Sequence, residues 1–183
     1  MAVRFAATLA AGHLAMSGLF VALLYQIGTV TAGHLPRDVA LGTCVVAAVA
    51  AIGVDARAVR DNGYSLGFRR QTSKSLMHDE GRPWWVTPLF WGLDTGLIGS
   101  TFRVSCTSWV LLLAALLNVA PQWSGLVYGF CFAIPLLVSI VAGNGEGFGY
   151  KGSQPPLRMA QSAGLAILGT LPIGMLWGLY AIG

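Results

Sequence analysis

The lengths of its apolar stretches constrain this chain more than any other feature. A helix that crosses about 30 Å of hydrocarbon needs roughly 20 mainly apolar residues, and most of the 183 residues fall into stretches near or above that length. Only 10% of the residues are charged, whereas soluble domains have about 25%, and the mean hydropathy is +0.68. The sequence therefore predicts one all-α integral membrane domain over residues 1–183, a polytopic bundle of transmembrane helices.

Five apolar stretches follow one another along the chain. They are Phe5–Ile27, Val39–Val54, Trp84–Val119, Gly125–Ala142 and Met159–Ile182. The first exceeds the roughly 7–15 apolar residues of a signal peptide, so we expect it to be a retained helix. Residues 55–83 mix basic and acidic side chains and predict a cytoplasmic hydrophilic loop. Residues 143–158 are Gly-rich and predict a flexible cytoplasmic connector.

The third stretch is too long for one straight crossing. Residues 84–119 would form a helix about 54 Å long at about 1.5 Å per residue. Either one broken helix crosses here, giving five crossings in all, or two helices do, giving six. Basic residues in short loops favour the cytoplasmic side. Five crossings with a cytoplasmic amino terminus leave only Arg37 outside, whereas six would also place Arg103, Lys151 and Arg158 there. We therefore predict five crossings of the cell membrane with a broken third helix.

Asp94 and Arg103 are the only charged residues well inside an apolar stretch. A charge at the bilayer centre costs about 2.5–3.5 kcal/mol. On an ideal helix the two would lie about 13 Å apart along the axis and on opposite faces, so they can pair only if the intervening segment unwinds. We predict a substrate or proton site at a broken helix, formed by Asp94 and Arg103 with Thr95 and Thr101. Alternatively, Arg103 reaches the outer interface and Asp94 bonds a neighbouring helix.

Cysteine and histidine positions give a second set of predictions. Cys44, Cys106 and Cys131 lie in apolar stretches without C-x-x-C spacing. In the predicted topology Cys44 and Cys131 lie about 9–10 Å below the outer helix ends, which makes them the candidate redox pair. The alternative is three packing cysteines. His13 is either a functional group or a hydrogen-bonding group between helices, while His34 and His78 fall in loops. We predict no metal site and no cofactor.

The net charge of +4 does not indicate a nucleic-acid partner. The basic residues lie between apolar stretches and do not form a patch with stacking aromatics. The expected partners are the lipid bilayer and, if the chain is a subunit, a membrane or envelope protein.

Part of the chain resembles the cytochrome c biogenesis and thiol–disulfide interchange transmembrane family. The resemblance covers roughly residues 40–140 and lies mainly in glycine and leucine placement, over Gly92–Arg103, Leu111–Leu117 and residues 129–137. Arg70 and Gln71 close a basic loop in a similar way. That family has a Pro-Cys pair in a Gly-rich broken helix, and Phe102 and Arg103 fall at that place here. No redox residue is therefore carried over.

The resemblance implies a broken-helix architecture and a role in envelope redox traffic or small-substrate transport. The competing hypothesis is a non-catalytic membrane subunit that scaffolds a partner protein. Whether the chain is an enzyme stays open.

Overall fold

The computed structural model describes residues 2–61, 81, 83–98, 105–142, 161–170 and 173. The helices are α1 Ala2–Thr31, α2 Arg37–Arg60, α3 Val86–Gly96, α4 Thr107–Leu116 and α5 Ser124–Ala142. Residues 161–170 are helical as well. Every regular element in these ranges is a helix, which confirms the all-α class for the described part of the chain.

The helices fall into two length classes. α1 has 30 residues and α2 has 24, about 45 and 36 Å at about 1.5 Å per residue. Both are long and apolar enough to cross a membrane, judged by length and composition. α3 has 11 residues and α4 has 10, so each could reach only about halfway. The long third stretch of the sequence is therefore divided into two short helices, while the number of crossings stays a prediction.

α2 runs further than its apolar stretch. It begins after Pro36, has Asp38 in its first turn, and ends with Arg57 and Arg60 in its last turn. This charge order matches the helix macrodipole, which favours acidic side chains at the start and basic ones at the end. Asp55 is therefore a helical and buried residue and not the first residue of a loop. Residues 62–80 and 82 of the predicted loop, and the connector 143–158, lie outside the described residues.

Glycines bring the backbones of α1 and α3 into direct contact. A Cβ added to Gly12 would lie 2.7 Å from the Leu89 carbonyl oxygen, and one added to Gly96 would lie 2.7 Å from the His13 carbonyl oxygen. A Cβ on Gly92 would collide with the Leu9 carbonyl oxygen. Gly92 and Gly96 have the G-x-x-x-G spacing that allows close helix approach in membranes. The sequence of α3 thus fixes how near it lies to α1.

α5 packs on α1 through a second pair of glycines with the same spacing. A Cβ on Gly125 would collide with the Ser17 carbonyl oxygen, and one on Gly129 with the Ser17 hydroxyl. Leu126 fills the space over Gly18. α1 is therefore the central helix, with α3 and α5 both pressed against it.

α3 and the end of α4 lie against different parts of α1. Gly92 lies against Leu9, and Gly96 lies against His13. The carboxyl end of α4 reaches much further along, because the Asn118 side-chain amide donates to the Tyr25 carbonyl oxygen at 2.9 Å. The two short helices thus cover successive parts of one long helix.

Asn118 ends α4 in a left-handed conformation, with φ 55°. The Val119 amide donates to the Ala114 carbonyl at 2.8 Å, and the Asn118 amide donates to the Ala115 carbonyl at 3.1 Å. These two bonds form a Schellman motif, in which the residue after the cap is usually glycine and sometimes asparagine.

Candidate functional site at the helix break

We call the described residues between α3 and α4 the helix break; these are residues 97, 98, 105 and 106. Thr101 and Arg103 lie outside the described part of the chain, so their predicted role in a polar site stays a prediction. Ile98 is fully buried with Val21 and Ala115, which places the first residues of the break inside the bundle.

A buried histidine meets the carboxyl end of α3. The His13 side chain is 0% exposed, and its Nδ1 lies 3.1 Å from the Thr95 Oγ1. The Phe132 ring of α5 stacks on the imidazole, with centroids 4.5 Å apart and an angle of 17° between the ring planes. Three helices therefore meet at one imidazole, in the last turn of α3 before the break.

The predicted residues Asp94 and Thr95 lie at this same end of α3. Both side chains are partly buried. Thr95 faces α1, where its hydroxyl bonds His13 and lies 2.9 Å from the Trp91 carbonyl oxygen. The structure thus brings Thr95 together with His13, for which the sequence leaves a functional role and a hydrogen-bonding role between helices both open.

A buried carboxylate meets the other side of the break. Asp55 of α2 is 2% exposed. Its Oδ2 accepts a hydrogen bond from the Ser105 hydroxyl at 2.6 Å, and the Cys106 amide donates to Oδ2 at 2.9 Å and to Oδ1 at 3.1 Å. The Thr107 amide donates to the Ser105 hydroxyl at 3.1 Å. Asp55 therefore caps the amino end of α4 from a different helix, directly at the Cys106 amide and through the Ser105 hydroxyl at the Thr107 amide.

The two ends of the break receive side chains of opposite character. A helix carries partial negative charge at its carboxyl end and partial positive charge at its amino end. The imidazole of His13, which can become a cation, lies at the carboxyl end of α3, and the carboxylate of Asp55 lies at the amino end of α4. Each of these two helix ends thus lies next to a side chain whose charge the helix dipole favours.

Neither Asp55 nor its donor Ser105 was expected in the site from sequence. Asp55 sits at the start of a charged segment, so its pattern indicates a solvated loop. His13 left a clearer signal, because Ser17 follows it by four residues and puts two polar groups on one face of an apolar helix. Both side chains are fully buried.

The cysteines of the predicted redox pair lie in different surroundings. Cys44 is buried on α2 and Cys131 is exposed on α5, and both are free thiols. Cys106 packs with Ala48, Ala51 and Val110. The pairing of Cys44 with Cys131 stays a prediction. In the part of the chain that the structure describes, no group of three or more His, Cys, Asp or Glu residues could hold a metal ion.

Comparison with protein-family models, curated proteins and solved structures finds no match to this chain. The resemblance to the cytochrome c biogenesis and interchange family therefore stays a prediction.

Proposed function

We propose that this chain is an integral membrane protein of the cell membrane that moves a small polar solute through a site at the helix break. The site consists of His13, Thr95 and Asp94. The observation that carries the proposal is the distance of 3.1 Å between His13 Nδ1 and Thr95 Oγ1. This contact lies inside the bundle, in the last turn of α3, a helix too short to cross the hydrocarbon region.

The distribution of polar and apolar side chains supports a lipid environment. The outer faces of the helices carry large apolar residues, with exposures of 64% for Leu19, 69% for Val46 and 56% for Phe130. His13 and Ser17 are at the same time fully buried. Large exposed apolar surfaces mark contact with a membrane or partner, and ionisable residues within membrane helices usually face the bundle interior.

The depth of His13 supports a site near the middle of the bilayer. It lies about 17 Å from the start of α1 at about 1.5 Å per residue, and the hydrocarbon region is about 30 Å thick. Many transporters hold solutes and ions near this depth, at the ends of discontinuous helices. The successive packing of α3 and α4 along α1 suits one discontinuous crossing, which agrees with five crossings and a cytoplasmic amino terminus.

Thiol traffic has less support, because Cys44 is buried and Cys131 lies on the outer face of α5. The competing hypothesis of a scaffolding subunit makes a different prediction: the chain should purify with a partner protein in fixed stoichiometry and move no solute.

Transport can be measured on the full chain in proteoliposomes by electrophysiology on solid-supported membranes. The solute panel comprises amino acids, short carboxylates, sugars and small cations. We expect a current for at least one class, reduced about tenfold or more in Thr95→Val, as the loss of roughly 1.4 kcal/mol would produce. Thr43→Val is the matched control, because Thr43 is exposed and bonds only the Val39 carbonyl of its own helix in the described structure.

Asp94→Asn and Arg103→Gln, tested separately, extend the measurement to the two charges predicted from sequence. Helical content by circular dichroism confirms that each variant folds. If folded wild-type protein carries no solute of the panel, or if Thr95→Val behaves like Thr43→Val, the proposal is wrong.

A further inference from the structure

The hydrogen bonds of Thr95 favour one nitrogen of His13 as the site of its proton. A threonine hydroxyl has one hydrogen to donate, and its oxygen can also accept. The Thr95 Oγ1 lies 2.9 Å from the Trp91 carbonyl oxygen and 3.1 Å from the Gly92 carbonyl oxygen. Carbonyl oxygens only accept, so the hydroxyl hydrogen is directed to them.

The Thr95 oxygen is then the acceptor in its contact with His13. The Nδ1 of His13, at 3.1 Å, can then donate to it, which favours the Nδ1–H tautomer of the neutral ring. A neutral imidazole has one N–H and one basic nitrogen. In the Nδ1–H tautomer the basic lone pair of His13 lies on Nε2.

We propose that His13 is the proton-binding residue of the site and that Thr95 positions it, by directing the incoming proton to Nε2. Proton uptake forms one N–H bond at Nε2, with the proton supplied by water on one side of the membrane and returned to water on the other. This names the coupling ion of the proposed transport, and in that respect it rests on the proposed function.

The groups around the ring can hold a positive charge. Thr95 lies in the last turn of α3, where the helix carries partial negative charge. The face of the Phe132 ring, at a centroid distance of 4.5 Å, is also negative and attracts a cation. Burial acts in the opposite direction by disfavouring charge.

The titratable residues on the helices packed against α1 are few. Asp94 of α3 is the residue next to Thr95, and Tyr128 and Cys131 belong to α5. α4, Thr107–Leu116, contains no ionisable side chain. A charge on His13 would act on α3 through Thr95 and on α5 through Phe132 at the same time, so it can change how both helices pack on α1.

The tautomer and the proton uptake can be observed directly by NMR of the full chain in lipid bilayers, with ¹⁵N-labelled histidine. The background His34→Gln, His78→Gln leaves His13 as the only histidine. We expect Nδ1–H with an unprotonated Nε2 at high pH, and a second N–H at Nε2 at low pH.

Variants of Thr95 test its positioning role. Thr95→Val has no acceptor for Nδ1–H, so the ratio of Nδ1–H to Nε2–H should fall about fivefold or more. Thr95→Ser keeps the hydroxyl and should restore the wild-type ratio. A wild-type ring in the Nε2–H form, or a ratio that Thr95→Val leaves unchanged, overturns the positioning role. A ring that takes up no proton at any pH at which the protein stays folded overturns proton binding.

A flux measurement separates this proposal from the proposed function. A pH gradient should drive solute flux in wild-type proteoliposomes, and His13→Gln should abolish the dependence on pH. Solute flux that ignores the gradient overturns the coupling role while transport stands. Absence of any solute flux overturns the proposed function, and the NMR titration then decides proton binding at His13.

Discussion

At the amino end of α4, Asp55 accepts hydrogen bonds from two donors, the Ser105 hydroxyl and the Cys106 amide, whereas at the carboxyl end of α3 a hydrogen bond joins His13 to Thr95. Hydrogen bonds to a charged group contribute about 1.5–3 kcal/mol each and neutral ones about 0.5–1.5. The amino end of α4 is thus bound by a carboxylate, and the carboxyl end of α3 by a contact between an imidazole and a hydroxyl group.

This difference suggests that the carboxyl end of α3 and the amino end of α4 have different roles. Asp55 fixes the start of α4 against α2, so that this end stays in place. His13 and Thr95 join α3 to α1 by a polar contact, and close glycine contacts pack the two helices together. Of the two contacts, only the one between His13 and Thr95 lies in the proposed solute site.

The largest effect should come from removing the carboxylate. Asp55→Ala leaves the Ser105 hydroxyl and the Cys106 amide without their acceptor, and should lower the free energy of unfolding by about 2–4 kcal/mol. Unfolding in detergent micelles, followed by circular dichroism, measures it. Asp38→Ala is the matched control, since Asp38 is an exposed acidic residue in the first turn of the same helix, and should cost about 0.3–1 kcal/mol. Equal effects at the two positions would mean that Asp55 does not anchor α4.

An intermediate effect should come from separating α3 from α1. Gly92→Ala places a methyl group against the Leu9 carbonyl oxygen, and should cost about 1–3 kcal/mol through overpacking. Gly42→Ala is the control, because a Cβ there meets nothing within 4 Å and alanine raises helix propensity by up to about 1 kcal/mol. If Gly92→Ala is as stable as Gly42→Ala in the same unfolding assay, the glycine contacts do not hold the α3 end.

A smaller effect should arise at the far end of α4. Asn118→Ala puts an alanine at φ 55° and removes the amide bond to Tyr25, and should cost about 1–2 kcal/mol. Asn118→Gly accepts the backbone conformation and loses only the amide bond, so it should be the milder change. Thermal unfolding of the two variants separates the terms, and a glycine variant less stable than the alanine variant would show that the backbone conformation is not the limiting factor.

Some of the site follows from the sequence. The length of residues 84–119 requires a break or a second crossing, and the structure divides this stretch after Gly96. The place of Thr95 between two deep charges predicts a polar role for it, and its side chain bonds a neighbouring helix. Arg103, its predicted companion, lies outside the described residues. The pairing of Thr95 with His13 could not be predicted, because the two are separated by 82 positions and their meeting depends on glycine contacts between α1 and α3.

The sequence by itself determined that this chain is helical and apolar, since the lengths and compositions of its stretches depend on local properties alone. It also indicated where a helix would be interrupted. Only the tertiary structure decided which polar groups meet at that interruption. Asp55, read locally, belongs to a charged loop, yet the amides at the start of α4 need an acceptor that their own helix cannot supply. Asp55, 51 positions away in the sequence, supplies that acceptor. Only folding brings the two residues together, so the local sequence pattern does not reveal the contact.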